Sequence, residues 1–281
     1  MKKHEYQLKR ELHTYFLKVL LMAGVIISVM FMTYYSVRET AVVANEKYWR
    51  LAQSVTYADR IMEEIATIGG YMWTSSQIQG IKAANINQRN YLYYRSCMDY
   101  LSNMEASANN VYRIRVFDRT TKTLITSRNG VFYDVNEDAA AYYQNYMDNI
   151  KNSAWVMDFN EGIVPRESNG ELFLYYLSPI YSIVTGEKTG LVCIDVSKDV
   201  FSALMKQGES GDGFVIISET VEIPAMRLAD NDIEYLKAAD NRQSSNFKFY
   251  VRHRPFHAVY QQSDYSGWHF YLYYPSTGIS F

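Results

Sequence analysis

Two arginines, Arg113 and Arg115, stand two residues apart in the alternating run VYRIRVFD, with Tyr112, Ile114 and Val116 at the intervening positions. A strand sends successive side chains to opposite faces, so both guanidiniums are expected on one face. There they can hold a carboxylate or phosphate bidentately, or form a solvated face among acidic neighbours. Asp195 closes a second apolar run, KTGLVCIDV, ahead of Ser197 and Lys198, where its side chain could accept from the first amides of a following helix. Trp155, Tyr133, Tyr142 and Tyr175 are the aromatics placed to line a pocket; such rings stack on sugars and planar groups, and also serve as core.

Other chemistries find less support. His4 and His13 precede the apolar N-terminal stretch, and His253, His257 and His269 fall on what read as strands, with no zinc-site spacing. Neither CxxC nor HExxH occurs, and a GxSxG elbow is absent. Carboxylates are plentiful but scattered, so no glycosidase pair can be argued. Cys97 and Cys193 read as small buried apolar residues more readily than as a bridge. The expectation is therefore a binding protein with no catalytic residue, no metal and no cofactor.

The elements that must position these residues begin with a membrane segment. Residues 15–36, YFLKVLLMAGVIISVMFMTYYS, hold one charge, Lys18, and are long enough to cross a hydrocarbon core of about 30 Å. Lys18 can snorkel, and Tyr34 and Tyr35 suit an aromatic belt. Lys2, Lys3, Lys9 and Arg10 against Glu5 and Glu11 put the N-terminus in the cytoplasm and the rest outside. The bulky MFMTYYS that follows the apolar core does not suit a signal-peptide cleavage site. After residue 36 the chain holds 23 Lys and Arg against 28 Asp and Glu, which excludes a nucleic-acid footprint.

Helical spacing continues through Val37, Ala41, Ala44, Tyr48, Leu51, Val55, Ala58, Met62, Ile65 and Ile68, a stalk expected to end at Gly69 and Gly70. A second helix is expected near Arg89 to Asn109, with Leu92, Cys97, Tyr100, Leu101 and Met104 on one face, able to pair with the first. Then the period becomes two. Val111 to Asp118 and Lys122 to Ser127 read as a hairpin, Asn136 to Lys151 as a helix, and Trp155 to Phe159 as extended. Leu172 to Tyr181 and Lys188 to Val196 read as strands, followed by a short helix at Lys198 to Lys206. After the glycine-rich GESGDG, strands are expected at Phe214 to Ser218, Phe247 to Arg252, His257 to Gln261 and Trp268 to Tyr273, with a helix near Asn231 to Ala239. No internal repeat of fixed short period is visible. The expected organisation is a cytoplasmic N-terminus (1–14), a transmembrane helix (15–36), a helical stalk and helix pair (37–110), a distal sheet module (111–207) and a proximal one (208–281).

This order resembles the double Cache sensors, α+β proteins in which two PAS-like antiparallel-sheet modules hang on a long stalk helix continuing from a transmembrane helix. NNVYRIRVFDRTTKTLITS resembles the family's first strand pair, and LFLYYLSPIYSIVTGEKTGLVCIDVSKDVF its paired central strands. GFVIIS and SGWHFYLYYP resemble the first and last strands of the membrane-proximal module. The similarity covers roughly residues 15 to 275 and points toward the sensors of Firmicutes AraC-type membrane regulators and their partner histidine kinases. It implies a small-molecule ligand and Asp195 in the place where family members hold a ligand amine; parallel stalks in a homodimer would provide the bistable element for signalling. The Arg-x-Trp-Tyr run of the amino-acid-binding members is absent. Family members continue into a second membrane helix and an output domain, which here are expected beyond residue 281 or on a partner. An anchored surface protein binding glycans through its tyrosines is the alternative.

Overall fold

The computed structural model describes residues 2–80, 88–157, 159, 162, 174–196, 212–218, 222–223, 230–239 and 245–276. The described residues divide into two compact units, one chiefly of residues 2–50 and one within residues 51–275. Helix α1, Lys2–Thr74, is a single element of 73 residues. Its apolar stretch is long enough to cross a membrane and none of it is buried. Tyr15, Phe16, Leu20, Met30 and Tyr34 are exposed to their surroundings, the surface that a lipid hydrocarbon phase would cover.

Within the second unit, Leu51, Val55, Ala58, Met62, Ile65 and Met72 of α1 are buried, the three- and four-residue spacing of one helix face. Between Ile65 and Met72 that stripe runs through Gly69, whereas Ile68 is half-buried. The helix therefore does not end at Gly69 and Gly70 as expected. A mid-helix glycine disfavours the helix by only about 1 kcal/mol, and here packing offsets it: a Cβ on Gly69 would meet Cε1 of Tyr176 at 2.6 Å. The turn comes at Ser75, extended at φ −71° and ψ 139°, whose hydroxyl accepts from the Ile78 amide to open the short helix α2, Ser76–Gln79.

Helix α3, Gln88–Ser107, packs on α2 and on the first strands. Its buried face is Tyr94, Cys97 and Leu101, while Leu92, expected on that face, is 70% exposed. Cys97 is a free thiol that burial pushes up to about 12. Six strands follow with one helix among them: β1 Val111–Asp118, β2 Thr123–Thr126, β3 Gly130–Phe132, α4 Glu137–Asn149, β4 Ala154–Val156, β5 Leu174–Tyr181 and β6 Lys188–Val196. They form an antiparallel sheet of order β3-β2-β1-β6-β5-β4. The second sheet, order β8-β7-β11-β10-β9, comprises β7 Gly213–Ile217, β8 Glu222–Ile223, β9 Asn246–Val251, β10 Arg254–Gln262 and β11 His269–Pro275, with α5, Asp230–Ala239, against β9. Strands β3 and β8 were not anticipated. The helix expected at Lys198 to Lys206, and the module boundary near 207, lie outside the described residues. His253 is in the β9–β10 turn at φ 66°, not on a strand.

The two sheets are built alike. Each places its first strand beside its last, with the second strand outside the first. Each joins its last two strands by the same turn, Ser182–Glu187 (SIVTGE) in one and Ser263–Trp268 (SDYSGW) in the other. In both, the serine amide donates to the carbonyl at the far end, over 2.8 Å, and the glycine amide returns to the serine carbonyl. The serine hydroxyl accepts the amide of Thr185 or Ser266, and the glycine has φ 71° in each, a value suited to a residue without Cβ. The second turn docks on α1, where the Ser263 hydroxyl donates to Asp59.

Neighbouring glycines should respond oppositely to alanine. Gly70→Ala meets nothing within 4 Å and should stabilise the helix by up to about 1 kcal/mol, whereas Gly69→Ala should destabilise because the Tyr176 ring cannot give way. Chemical denaturation of the full chain in detergent micelles measures both. Asp59 supplies a pH test. Burial raises its carboxyl above the ordinary range despite the Ser263 hydrogen bond, with Asp264 adding to the shift and the Tyr265 amide opposing it. The folded chain thus takes up this proton at higher pH than the unfolded chain, so the stability linked to it is present in acid and lost as pH rises through the folded value. Asp59→Asn, which keeps an acceptor for Ser263, should raise the melting temperature at pH 8 and leave it nearly unchanged at pH 4.

Candidate functional site

Strands β1, β6 and β5 lie side by side at the centre of the first sheet, and their register aligns the polar residues. Arg113 is opposite Asp195, and Arg115 opposite Cys193; Tyr175 is opposite Asp195 on the other side, and Leu177 opposite Cys193. Alternation puts all six on one face. Asp195 is 1% exposed, as is Arg115, and Arg113 is 9% exposed, so the arginine pair is not a solvated face.

One carboxylate joins the two guanidiniums. Arg115 donates through Nε (3.1 Å) and Nη2 (2.5 Å) to Oδ1 of Asp195. Arg113 donates through Nε (2.8 Å) and Nη2 (2.7 Å) to Oδ2. Arg113 Nη1 reaches the amide oxygen of Asn129 at 3.3 Å, and Arg115 Nη2 lies 3.1 Å from the Cys193 sulfur. The guanidinium carbon of Arg115 stands 4.9 Å from the Phe159 ring centre and 5.5 Å from that of Tyr175, a cation–π geometry that gains weight where water is excluded.

Aromatic side chains surround this group. Phe159 packs against Tyr142 (5.2 Å), Tyr146 (5.1 Å), Tyr143 (5.5 Å) and Tyr175 (5.8 Å), and Tyr143 stacks on Phe117 at 4.5 Å. Three of those tyrosines come from α4, which is fixed at both ends. Asn136 caps it by accepting from the Ala139 amide at 2.9 Å. Lys188 Nζ donates to the carbonyls of Met147 (2.6 Å) and Ile150 (2.7 Å) at its C-terminal end, where a cation also complements the helix dipole. Burial, followed by the charge of Asp195, pushes the Tyr175 phenol up to about 12, so it remains a neutral hydroxyl at physiological pH.

Of the expected site residues, Asp195, Arg115, Tyr175 and Tyr142 thus gather around Phe159, and Trp155 and Tyr133 do not. Trp155 pairs with Tyr176, not Tyr175, and its ring packs on Tyr176 (5.0 Å) and Trp268 (6.1 Å) on the opposite face. Tyr133 is one residue past Phe132, which faces the cluster; it packs on Tyr94 of α3 and is 51% exposed. One step along a strand changes the face. The residues not anticipated are Phe159, Tyr143 and Asn129. Alternation from β4 would have put Phe159 on the face of Trp155, so local pattern misplaces it; nothing local marks Asn129, which lies in the β2–β3 turn. The alternative role of Asp195 as a helix cap concerns residues from 197 onward, outside the described residues.

In the second sheet the corresponding positions are apolar. Leu177 and Ala258 each lie five residues before the turn serine, which matches the row Arg115–Cys193–Leu177 with Gly213–Tyr273–Ala258. Tyr273 occupies the space a side chain at 213 would need: a Cβ on Gly213 would fall 1.8 Å from its Cζ. Pro275 stands opposite Phe256, as Asp195 stands opposite Tyr175. The charged cluster thus belongs to the first sheet alone among these matched positions.

No protein-family model matches the chain, and no curated protein matches its sequence. Solved structures share the fold. The ligand-binding domain of the Campylobacter jejuni chemoreceptor Tlp3, in complex with L-norvaline, is similar at a TM-score of 0.60 and 9% identity, over 85% of this chain and 95% of that one. The sensor domain of the V. cholerae histidine kinase DctB is similar at 0.60 and 11%, over 84% and 98%. A domain of a sensory box/GGDEF family protein from Vibrio parahaemolyticus is similar at 0.56 and 15%, over 83% and 96%.

Removing the shared carboxylate by Asp195→Ala leaves two buried guanidiniums without it and should destabilise the chain by about 3–5 kcal/mol in denaturant titrations. Combining it with Arg113→Met and Arg115→Met should recover much of that loss, since apolar replacement of a whole buried ion group is often neutral.

Proposed function

We propose that this chain is the extracytoplasmic small-molecule-sensing part of a membrane-anchored bacterial signal-transduction protein, and that its ligand binds on the Arg113–Asp195–Arg115 face of the first sheet. The observation that carries this reading is the asymmetry between two sheets of one design: one buries a charged, aromatic-walled cluster, and the other fills the matching row with Tyr273. Desolvating two guanidiniums and a carboxylate disfavours folding unless their geometry is good, and buried charge of this kind concentrates at binding and catalytic sites.

Support for sensing comes from the fold, shared with ligand-binding domains of a chemoreceptor and with a histidine-kinase sensor domain. The exposed apolar stretch of α1 serves as the anchor, with the N-terminus cytoplasmic by its basic residues and the sheets outside. The output is assigned to an AraC-type regulator or a sensor kinase, and the working unit to a homodimer through α1. Ligand capture biases α1 between two states, which requires tighter binding to one of them. The glycan-binding alternative would use exposed rings such as Tyr91, Tyr133 and Tyr250, whereas the rings beside the charged cluster, Tyr143, Tyr175 and Phe159, are buried.

Thermal unfolding of the full chain in detergent micelles, against amino acids, organic acids, nucleobases and oligosaccharides, tests the reading. A ligand at 100 times its dissociation constant adds about 2.7 kcal/mol, and the shift should vanish in Tyr175→Ala. A shift from oligosaccharides alone that survives Tyr175→Ala would favour the glycan-binding alternative.

A further inference from the structure

We infer that this face receives the anionic group of its ligand and offers no seat for an ammonium, so that the ligand class is small carboxylates without an α-amine. The inference rests on the reading of this face as the ligand site, and it follows from which hydrogen-bonding positions are already taken.

A carboxylate offers about four lone-pair positions. Those of Asp195 are used: Oδ1 accepts Nε and Nη2 of Arg115, and Oδ2 accepts Nε and Nη2 of Arg113. An incoming ammonium would have to displace a guanidinium from a carboxylate that is 1% exposed, stranding that cation at the penalty of a broken buried pair. Asp195 is thus the part that orients the arginines, a positioning residue for the site.

Arg113 supplies the opposite capacity. A guanidinium has five N–H donors and no acceptor. The inner edge of Arg113, Nε and Nη2, is held by Asp195, and among the described residues its outer edge meets only the Asn129 amide oxygen at 3.3 Å. Its side chain is 10% exposed, against 1% for Arg115, so it is the member of the cluster that an entering group meets. Donors held in place by a fixed carboxylate select an acceptor, and an oxyanion suits the planar guanidinium edge. The rest of the ligand meets rings that carry no charge at neutral pH, Phe159 and the Tyr175 phenol, which recognise an apolar body and, among the described residues, give an α-ammonium no counter-ion.

The experiment is calorimetric titration of the full chain in detergent micelles with acids paired with their α-amino counterparts: succinate with L-aspartate, 4-methylpentanoate with L-leucine, and 3-phenylpropanoate with L-phenylalanine. In at least one pair the acid should bind about tenfold or more tightly than the amino acid. Arg113→Gln should weaken that binding at least about tenfold, as expected for loss of a hydrogen bond to a charged group, and Arg113→Lys should recover part of it. Melting of each unliganded variant shows whether it is folded. If Arg113→Gln is unfolded, Asn129→Asp replaces it, since a carboxylate at the outer edge should repel the acid. An amino acid binding more tightly than its paired acid, through a site lost in Tyr175→Ala, would overturn the inference and leave the sensing reading intact. Acid binding unaffected by the folded Arg113 or Asn129 variant would overturn it as well. No binding by any of these probes would overturn it too, and would extend to the sensing reading only if the wider library also gave no shift.

Discussion

A single carboxylate shared by two guanidiniums, in a place water barely reaches, constrains the pairing of β1 with β6. Arg113 and Arg115 are two residues apart on β1, and Asp195 must fall opposite the first of them on β6. A slip of one residue would send the arginines to the face packed by α1 and α3 and leave the aspartate without them. The charged row therefore fixes the register that the apolar residues alone would specify less sharply. Its cover strips these charges of hydration, a cost that their close, hydrogen-bonded pairing must offset. Helix α4 and Phe159 supply the cover, with Lys188 of β6 tying the end of that helix to the sheet that carries the charge.

The second sheet shows what the same design becomes without that constraint. Its strand order and its final turn repeat those of the first, yet Gly213, Tyr273 and Ala258 replace the row of Arg115, Cys193 and Leu177. One large ring fills the space, and α5 adds Ile233 and Leu236 to an ordinary apolar core. On one strand order, the first module buries a charged group and the second an apolar packing solution.

Much of the architecture was legible in the sequence because it rests on periodicity. The three- and four-residue spacing of Leu51, Val55, Ala58, Met62 and Ile65 marked the buried face of α1, and β6 spans the expected Lys188 to Val196. Failures came where a local signal was overridden from a distance. Gly69 and Gly70 read as a helix end, but a helix tolerates glycine when a distant ring, Tyr176, needs the room. Leu92 read as core, but Tyr94 holds that face. The repeated turn has no signature in the sequence because its two copies share a serine and a glycine and little else.

By itself the sequence determined the elements and their faces: an apolar helix fit to cross a membrane, strands of period two, and two arginines on one side of β1. Those follow from properties of neighbouring residues, which the order of the chain contains. Only the tertiary structure decided that Asp195 lies between those arginines, with its oxygens already used, and that Tyr142, Tyr175 and Phe159 share their face while Trp155 and Tyr133 turn from it. Such facts depend on which strand lies beside which and in what register, and residues 80 positions apart are joined by pairing that no local pattern records.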